Sequence, residues 1–77
     1  MSITDNVLMD KKKILGANIK AERNRKRYSQ AILAEKSQLS PTSISLIETG
    51  IQMPSAIALL AISRALEIDI NELYKGL

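Results

Sequence analysis

An all-α fold, a compact bundle of five helices in one domain, follows from three features of this 77-residue chain. Ser29, Ser40 and Ser55 each stand just ahead of a stretch of helical composition, where a hydroxyl can accept from a first-turn amide that the helix leaves unpaired. Apolar residues recur three and four apart, as in Leu15 and Ile19 or Ile44 and Ile47, which is the period of a helix face. No internal repeat, low-complexity segment or second domain interrupts the pattern. A domain this small buries only about 60% of its unfolded surface, so its core must be economical.

Residues 1–10 lack periodicity and are expected to form a flexible N-terminal arm, leaving residues 11–77 as the single domain. Asp10 is the expected N-cap of a first helix from Lys11 to about Lys26, with Leu15, Ile19, Ala17 and Ala21 supplying a narrow apolar stripe. Its other faces carry Lys11, Lys12, Lys13, Lys20, Arg25 and Lys26, available for solvation or for attracting phosphate. Ser29 then caps a second helix from Gln30 to about Lys36, with Leu33 and Ala34 inward. Ala34 must stay small so that the next helix can cross close to it. After a turn at Ser37, Gln38 and Leu39, Ser40 and Pro41 open a third helix as N-cap and first residue. Ile44 and Ile47 anchor that helix, and Gly50 ends it in the left-handed conformation.

The loop IQMP leads to a fourth helix capped by Ser55 and running to about Leu66. Its Ile57, Leu59, Leu60, Ile62 and Leu66, interspersed with alanines, predict burial on most sides. Asp69 with Glu72 three residues on suggests a variant of the capping box for a last short helix, with Ile70, Leu73 and Tyr74 inward.

Composition narrows the function. Cysteine and histidine are both absent, which removes disulfides, thiolate metal sites, the commonest general base and the commonest transition-metal ligand. The eight acids are scattered, so neither an enzyme, a metal site nor a cofactor is expected. No apolar run approaches the roughly 20 residues of a membrane helix, and the N-terminus is acidic where a signal peptide is basic; a cytoplasmic protein is expected. Residues 1–38 hold nine bases and four acids, whereas residues 39–77 hold two and four. That is +5 against −2, the asymmetry of a protein that offers one basic face to a polyanion.

Gln30, Leu33, Ala34, Leu39, Ile44, Ile47, Glu48 and Gly50 together resemble the helix-turn-helix of phage repressors, Cro proteins and Xre-type regulators. The likeness extends through Leu15, Gly16, Ile19 and Arg23 upstream and Pro54, Ser55, Leu59, Leu66 and Leu73 downstream. It implies a lambda-repressor-like bundle that binds double-stranded DNA, usually as a homodimer, with the third helix in the major groove. It also implies a phosphate contact at Gln30, with Ser29 and Arg27 beside it, and an internal ion pair between Arg23 and Glu48, Arg23 being able to face a phosphate as well. The base-reading positions would be Pro41, Thr42, Ser43, Ser45 and Leu46. None is Arg, Gln, Asn or Lys, so readout would rest on single hydrogen bonds from Thr42 and Ser45, Leu46 against a thymine methyl, and DNA shape. Ser43 could instead cap locally.

Where relatives carry glycine in three turns, this chain has Arg27, Gln38 and Glu67, each at a cost on the order of 1 kcal/mol or more if left-handed. Ile68, Ile70, Tyr74 and Leu77 exceed what so small a core can hide and are dimer candidates, although Tyr74 and Leu77 could equally cover the fourth helix. The weak reading surface, with apolar Ile32 and Leu46 at usually polar positions, also fits a second function class: a protein-interaction module such as an antitoxin, antirepressor or polymerase-contacting adaptor.

Overall fold

The computed structural model describes the backbone of residues 3–77 and side chains from Val7 onward. Four α-helices, α1 (Ile3–Arg25), α2 (Gln30–Ser37), α3 (Pro41–Glu48) and α4 (Ala56–Ala65), precede a short 3-10 turn at Ile70–Tyr74. The fifth element is thus tighter than an α-helix. Its capping box does not form: Asp69 accepts from the Asn71 amide at 2.8 Å, while the Glu72 carboxylate pairs with Lys75.

One serine precedes each of three helices and accepts from the third helical amide, at 3.0 Å in every case: Ser29 from Ile32, Ser40 from Ser43 and Ser55 from Ala58. The helix expected to begin after Asp10 begins instead at Ile3, so residues 3–10 continue α1 and no backbone break separates an arm from the domain. Residues 1 and 2 of the expected arm lie outside the described residues. Neither Pro nor Gly occurs between Ile3 and Gly16, and lengthening an existing helix costs far less than nucleating one. Val7, Leu8 and Met9 stay exposed there, so the added turns gain little from burial. The 23-residue helix spans about 35 Å and sets the 38 Å long axis of the molecule.

The core consists of Leu15 and Ile19 from α1, Leu33 and Ala34 from α2, Ile44 and Ile47 from α3, Leu59 and Ile62 from α4, and Leu66 and Leu73 beyond it. Burying each of the larger side chains stabilises the fold by about 1.5–3 kcal/mol relative to exposure. α2 lies against both α3 and α4, and α1 against α3 and the 3-10 turn. Asn18 ties the C-terminal segment down, its Nδ2 donating to the carbonyls of Leu73 at 2.9 Å and Lys75 at 2.8 Å. The buried Ser37 and Ser63 hydroxyls donate to Leu33 O and Leu60 O, so their burial leaves no orphaned group.

α4 is not buried on most sides. Leu59, Ile62 and Ser63 face inward, but Ile57 is 80% exposed and Leu60 43%. The apolar pattern overstated burial because α2 and the 3-10 turn cover only one flank of α4.

Arg27, Gln38 and Glu67 are all left-handed, with φ of 61°, 59° and 58°. Each closes a helix in the same way: the amide of the next residue reaches back five residues, Tyr28 to Arg23 O, Leu39 to Ala34 O and Ile68 to Ser63 O, at 2.9–3.1 Å. Tyr28, Leu39 and Ile68 then pack against the core. Those paired bonds and apolar contacts offset the strain of a side chain at positive φ. Gly50, with φ of 80°, is followed by Ile51, which is 68% exposed, so that turn lacks the same packing. Replacing Gln38→Gly is expected to stabilise the domain by about 1 kcal/mol, raising Tm by roughly 4–8 °C. An unchanged or lower Tm in thermal denaturation would mean that the left-handed turn carries no strain to relieve.

Candidate nucleic-acid interface

α2 and α3 are joined by Gln38, Leu39 and Ser40 and held together by fully buried Leu33, Ala34, Ile44 and Ile47. With those side chains turned inward, the opposite edge of α3 is presented outward. Pro41 and Thr42 are exposed, and Ser45 and Leu46 are half-buried beside them. Ser43 is engaged locally: its hydroxyl accepts from Ser40 Oγ at 3.0 Å while its amide donates to the same oxygen. That exchange leaves Thr42 and Ser45 as the freer hydroxyls.

The α2 N-terminus meets the end of α3 through Glu48. Arg23 donates from Nε to Glu48 Oε2 at 2.6 Å and from Nη2 to Oε1 at 3.1 Å, a bidentate pair with both residues buried. Its Nη1 donates to Tyr28 O at 2.8 Å, so one guanidinium ties α1, the turn before α2 and the end of α3. Arg23 is only 8% exposed, with its guanidinium held by Glu48 and Tyr28 O. Gln30 Nε2 also donates to Glu48 Oε1, at 3.1 Å, an alliance across 18 residues that the sequence alone did not suggest. The Gln30 side chain therefore points partly inward. The backbone amides of Gln30 and Ala31, which a helix cannot pair internally, remain at the positive end of α2. Exposed Arg27 and Ser29 flank them, Ser29 spending its oxygen on the Ile32 amide.

Two further polar residues border the end of α3. Thr49, exposed at the end of α3, donates its hydroxyl to Ser45 O and Leu46 O at 3.0 and 3.1 Å. Gln52 is exposed in the loop that follows. Their position beside the α3 terminus was the available signal.

The order of elements, the three-residue link between α2 and α3, and the outward edge of α3 are those of a helix-turn-helix, and the Helix-turn-helix family model matches residues 19–73. The chain belongs to the helix-turn-helix family of DNA-binding regulators. Solved relatives of this helix-turn-helix chain agree. The restriction-modification controller protein C.AhdI from Aeromonas hydrophila is 28% identical with a TM-score of 0.81, over 82% of this chain and 96% of that one. The clp gene regulator ClgR from C. glutamicum is 29% identical with a TM-score of 0.77, over 80% of each chain. The DNA-binding domain of the P22 C2 repressor is 34% identical with a TM-score of 0.76, over 80% of this chain and 82% of that one. No curated protein matches. No described helix is long and apolar enough to cross a membrane, and no three potential metal ligands cluster among the described residues.

The C-terminal dimer candidates divide. Ile68 and Ile70 pack against the core, which leaves Tyr74 and Leu77, 39% and 42% exposed, on the surface. Ile32 is 44% exposed on α2, whereas Leu46 is half-buried, so the two are not equally available to a partner.

Proposed function

We propose that this helix-turn-helix chain regulates transcription by occupying an operator in duplex DNA, in the cytoplasm, with α3 in the major groove and α2 on the phosphate backbone. The supporting observation is the outward edge of α3, Pro41 to Leu46, carried on a helix pair whose mutual angle is fixed by buried apolar residues and by the Arg23, Glu48 and Gln30 network. Thr42 and Ser45 offer single hydrogen bonds to base edges, Leu46 and Pro41 offer apolar contact to a thymine methyl, and DNA shape supplies the remainder. Amides at Gln30 and Ala31, with Arg27, receive a phosphate. Binding involves no chemical step, metal or cofactor. A homodimer would place two α3 helices in half-sites about one DNA turn apart, with Tyr74 and Leu77 at its contact.

Fluorescence-anisotropy titrations against a duplex selected from a random pool and against random duplex test the assignment. Gln30→Ala is expected to weaken both alike, because it loosens the phosphate-facing end of α2. Thr42→Ala and Ser45→Ala should weaken only the selected duplex, by about 1 kcal/mol or more, at one or two base pairs. Equal losses on both duplexes for the Thr42 and Ser45 variants would remove those residues as readers.

A second reading, a protein-interaction module on the same scaffold, is favoured by the apolar exposure of Ile51, Met53, Ile57 and Leu60, which follow one another between α3 and the middle of α4. Under that reading, replacing Ile57 and Leu60 by Ser abolishes partner capture while leaving DNA affinity intact. Loss of DNA binding with partner capture retained would rule it out.

A further inference from the structure

We infer that α1 supplies a second phosphate-binding strip, Lys13 and Lys20, at the C-terminal end of the reading helix. This rests on the DNA-docking reading above. Gly16 of α1 lies against the backbone at the end of α3: a Cβ built there would stand 2.7 Å from Glu48 O and closer still to Ile47 O. One turn earlier, the Lys13 stem covers Gly50, where a Cβ would stand 2.8 Å from Lys13 Cγ. One turn after Lys20, Arg23 holds the Glu48 carboxylate. Lys13, Gly16, Lys20 and Arg23 are spaced at three, four and three, so they share one side of α1, the side that borders the end of α3. Gly16 and Arg23 are buried in that contact, while Lys13 and Lys20 are exposed along it, about 10 Å apart on the helix axis.

The surroundings make these two charges necessary. The loop Ile51–Met53 has no base, the exposed positions of α3 have none, and the last turn of α3 carries no basic residue. The C-terminal end of a helix is itself partly negative and repels a phosphate. Yet α3 is only about 12 Å long, comparable to the width of the major groove, so a phosphate strand must pass near that end when the helix is seated. Four other bases make contacts within the domain, and Lys12 beside Lys13 is half-buried. Lys11 reaches Leu77 O, Arg25 pairs with Glu22, Lys26 with Glu67, and Lys36 lies over the Tyr28 ring. Lys13 and Lys20 form no ion pair or hydrogen bond among the described residues. Their ligand is the phosphate backbone of B-form DNA, reached from α1 instead of from the loop.

The test compares the salt dependence of random-duplex binding for wild type, Lys13→Gln with Lys20→Gln, and the charge-matched control Lys11→Gln with Lys26→Gln. The slope of log K against log salt is expected to become shallower by about 0.9 for each lysine in the first pair and to stay unchanged in the control. The ratio of selected to random affinity should not move. A slope unaltered by the first pair, or altered equally by both pairs, would overturn the strip while leaving DNA docking by α2 and α3 intact. A role confined to complementing the α3 dipole would appear instead as a lower Tm with an unchanged slope, which also overturns it. Absence of wild-type binding at low salt is the separate result that would remove the DNA reading itself.

Discussion

Replacing Glu48→Ala is expected to lower stability by on the order of 3–5 kcal/mol and Tm by roughly 20 °C, the largest effect of any single substitution in this domain. The carboxylate accepts two hydrogen bonds from Arg23 and one from Gln30, and all three donors lose their partner at once. Arg23, 8% exposed, would be left as an uncompensated buried charge. A domain of this size has only about 5–10 kcal/mol in reserve, so much of it would unfold near physiological temperature. The loss comes from the orphaned charge more than from the missing attraction. Combining Arg23→Met with Glu48→Met should therefore recover a large part of the lost Tm, and a double variant no more stable than Glu48→Ala would contradict that cause. DNA affinity should not recover with it, because the tie between Gln30 and the end of α3 stays absent.

The second large effect concerns Gly16→Ala, where two physical terms oppose one another. Alanine in place of glycine inside a helix should stabilise it by roughly 0.5–1 kcal/mol. At Gly16, however, the added carbon would meet the carbonyl oxygens of Ile47 and Glu48, which belong to backbone and cannot rotate away. α1 and α3 would have to separate, loosening Leu15 and Ile19 against Ile44 and Ile47 and stretching the Arg23 pair. Overpacking of that kind costs about 1–3 kcal/mol and wins over the helix propensity. Urea denaturation should show a net loss of about 2 kcal/mol. A gain in stability would mean that the two helices approach less closely than the structure places them.

What could be read from the chain and what could not divide along a physical line. The caps at Ser29, Ser40 and Ser55 and the inward positions Leu33, Ala34, Ile44 and Ile47 depend on residues within one turn of each other, so local chemistry specified them. The left-handed residues Arg27, Gln38 and Glu67 came from the family resemblance, which marked turns where relatives carry glycine. The start of α1 is not legible because Asp10 is a good cap, yet its small cost inside a helix is outweighed by continuing the helix when no Pro or Gly intervenes back to Ile3. Exposure of Ile57 and Leu60 was missed for a different reason: periodicity identifies an apolar face but cannot say whether another element exists to cover it. The site showed the same limit. Thr42, Ser45 and Leu46 were placed by their positions on one helix, whereas the Gln30 bond to Glu48, the hold of Asn18 on the C-terminus and the bed of Lys13 on Gly50 all join residues far apart in sequence.

Chemical-shift mapping of the amides during titration with a selected DNA duplex tests the DNA-facing surface most directly. The largest changes are expected at the start of α2 around Gln30 and Ala31, along Thr42 to Leu46, and at Lys13, Lys20, Thr49 and Gly50, with smaller changes at Tyr74 and Leu77 where two copies meet on the duplex. Changes concentrated at Ile57, Leu60 and Leu77, with α3 silent, would contradict it.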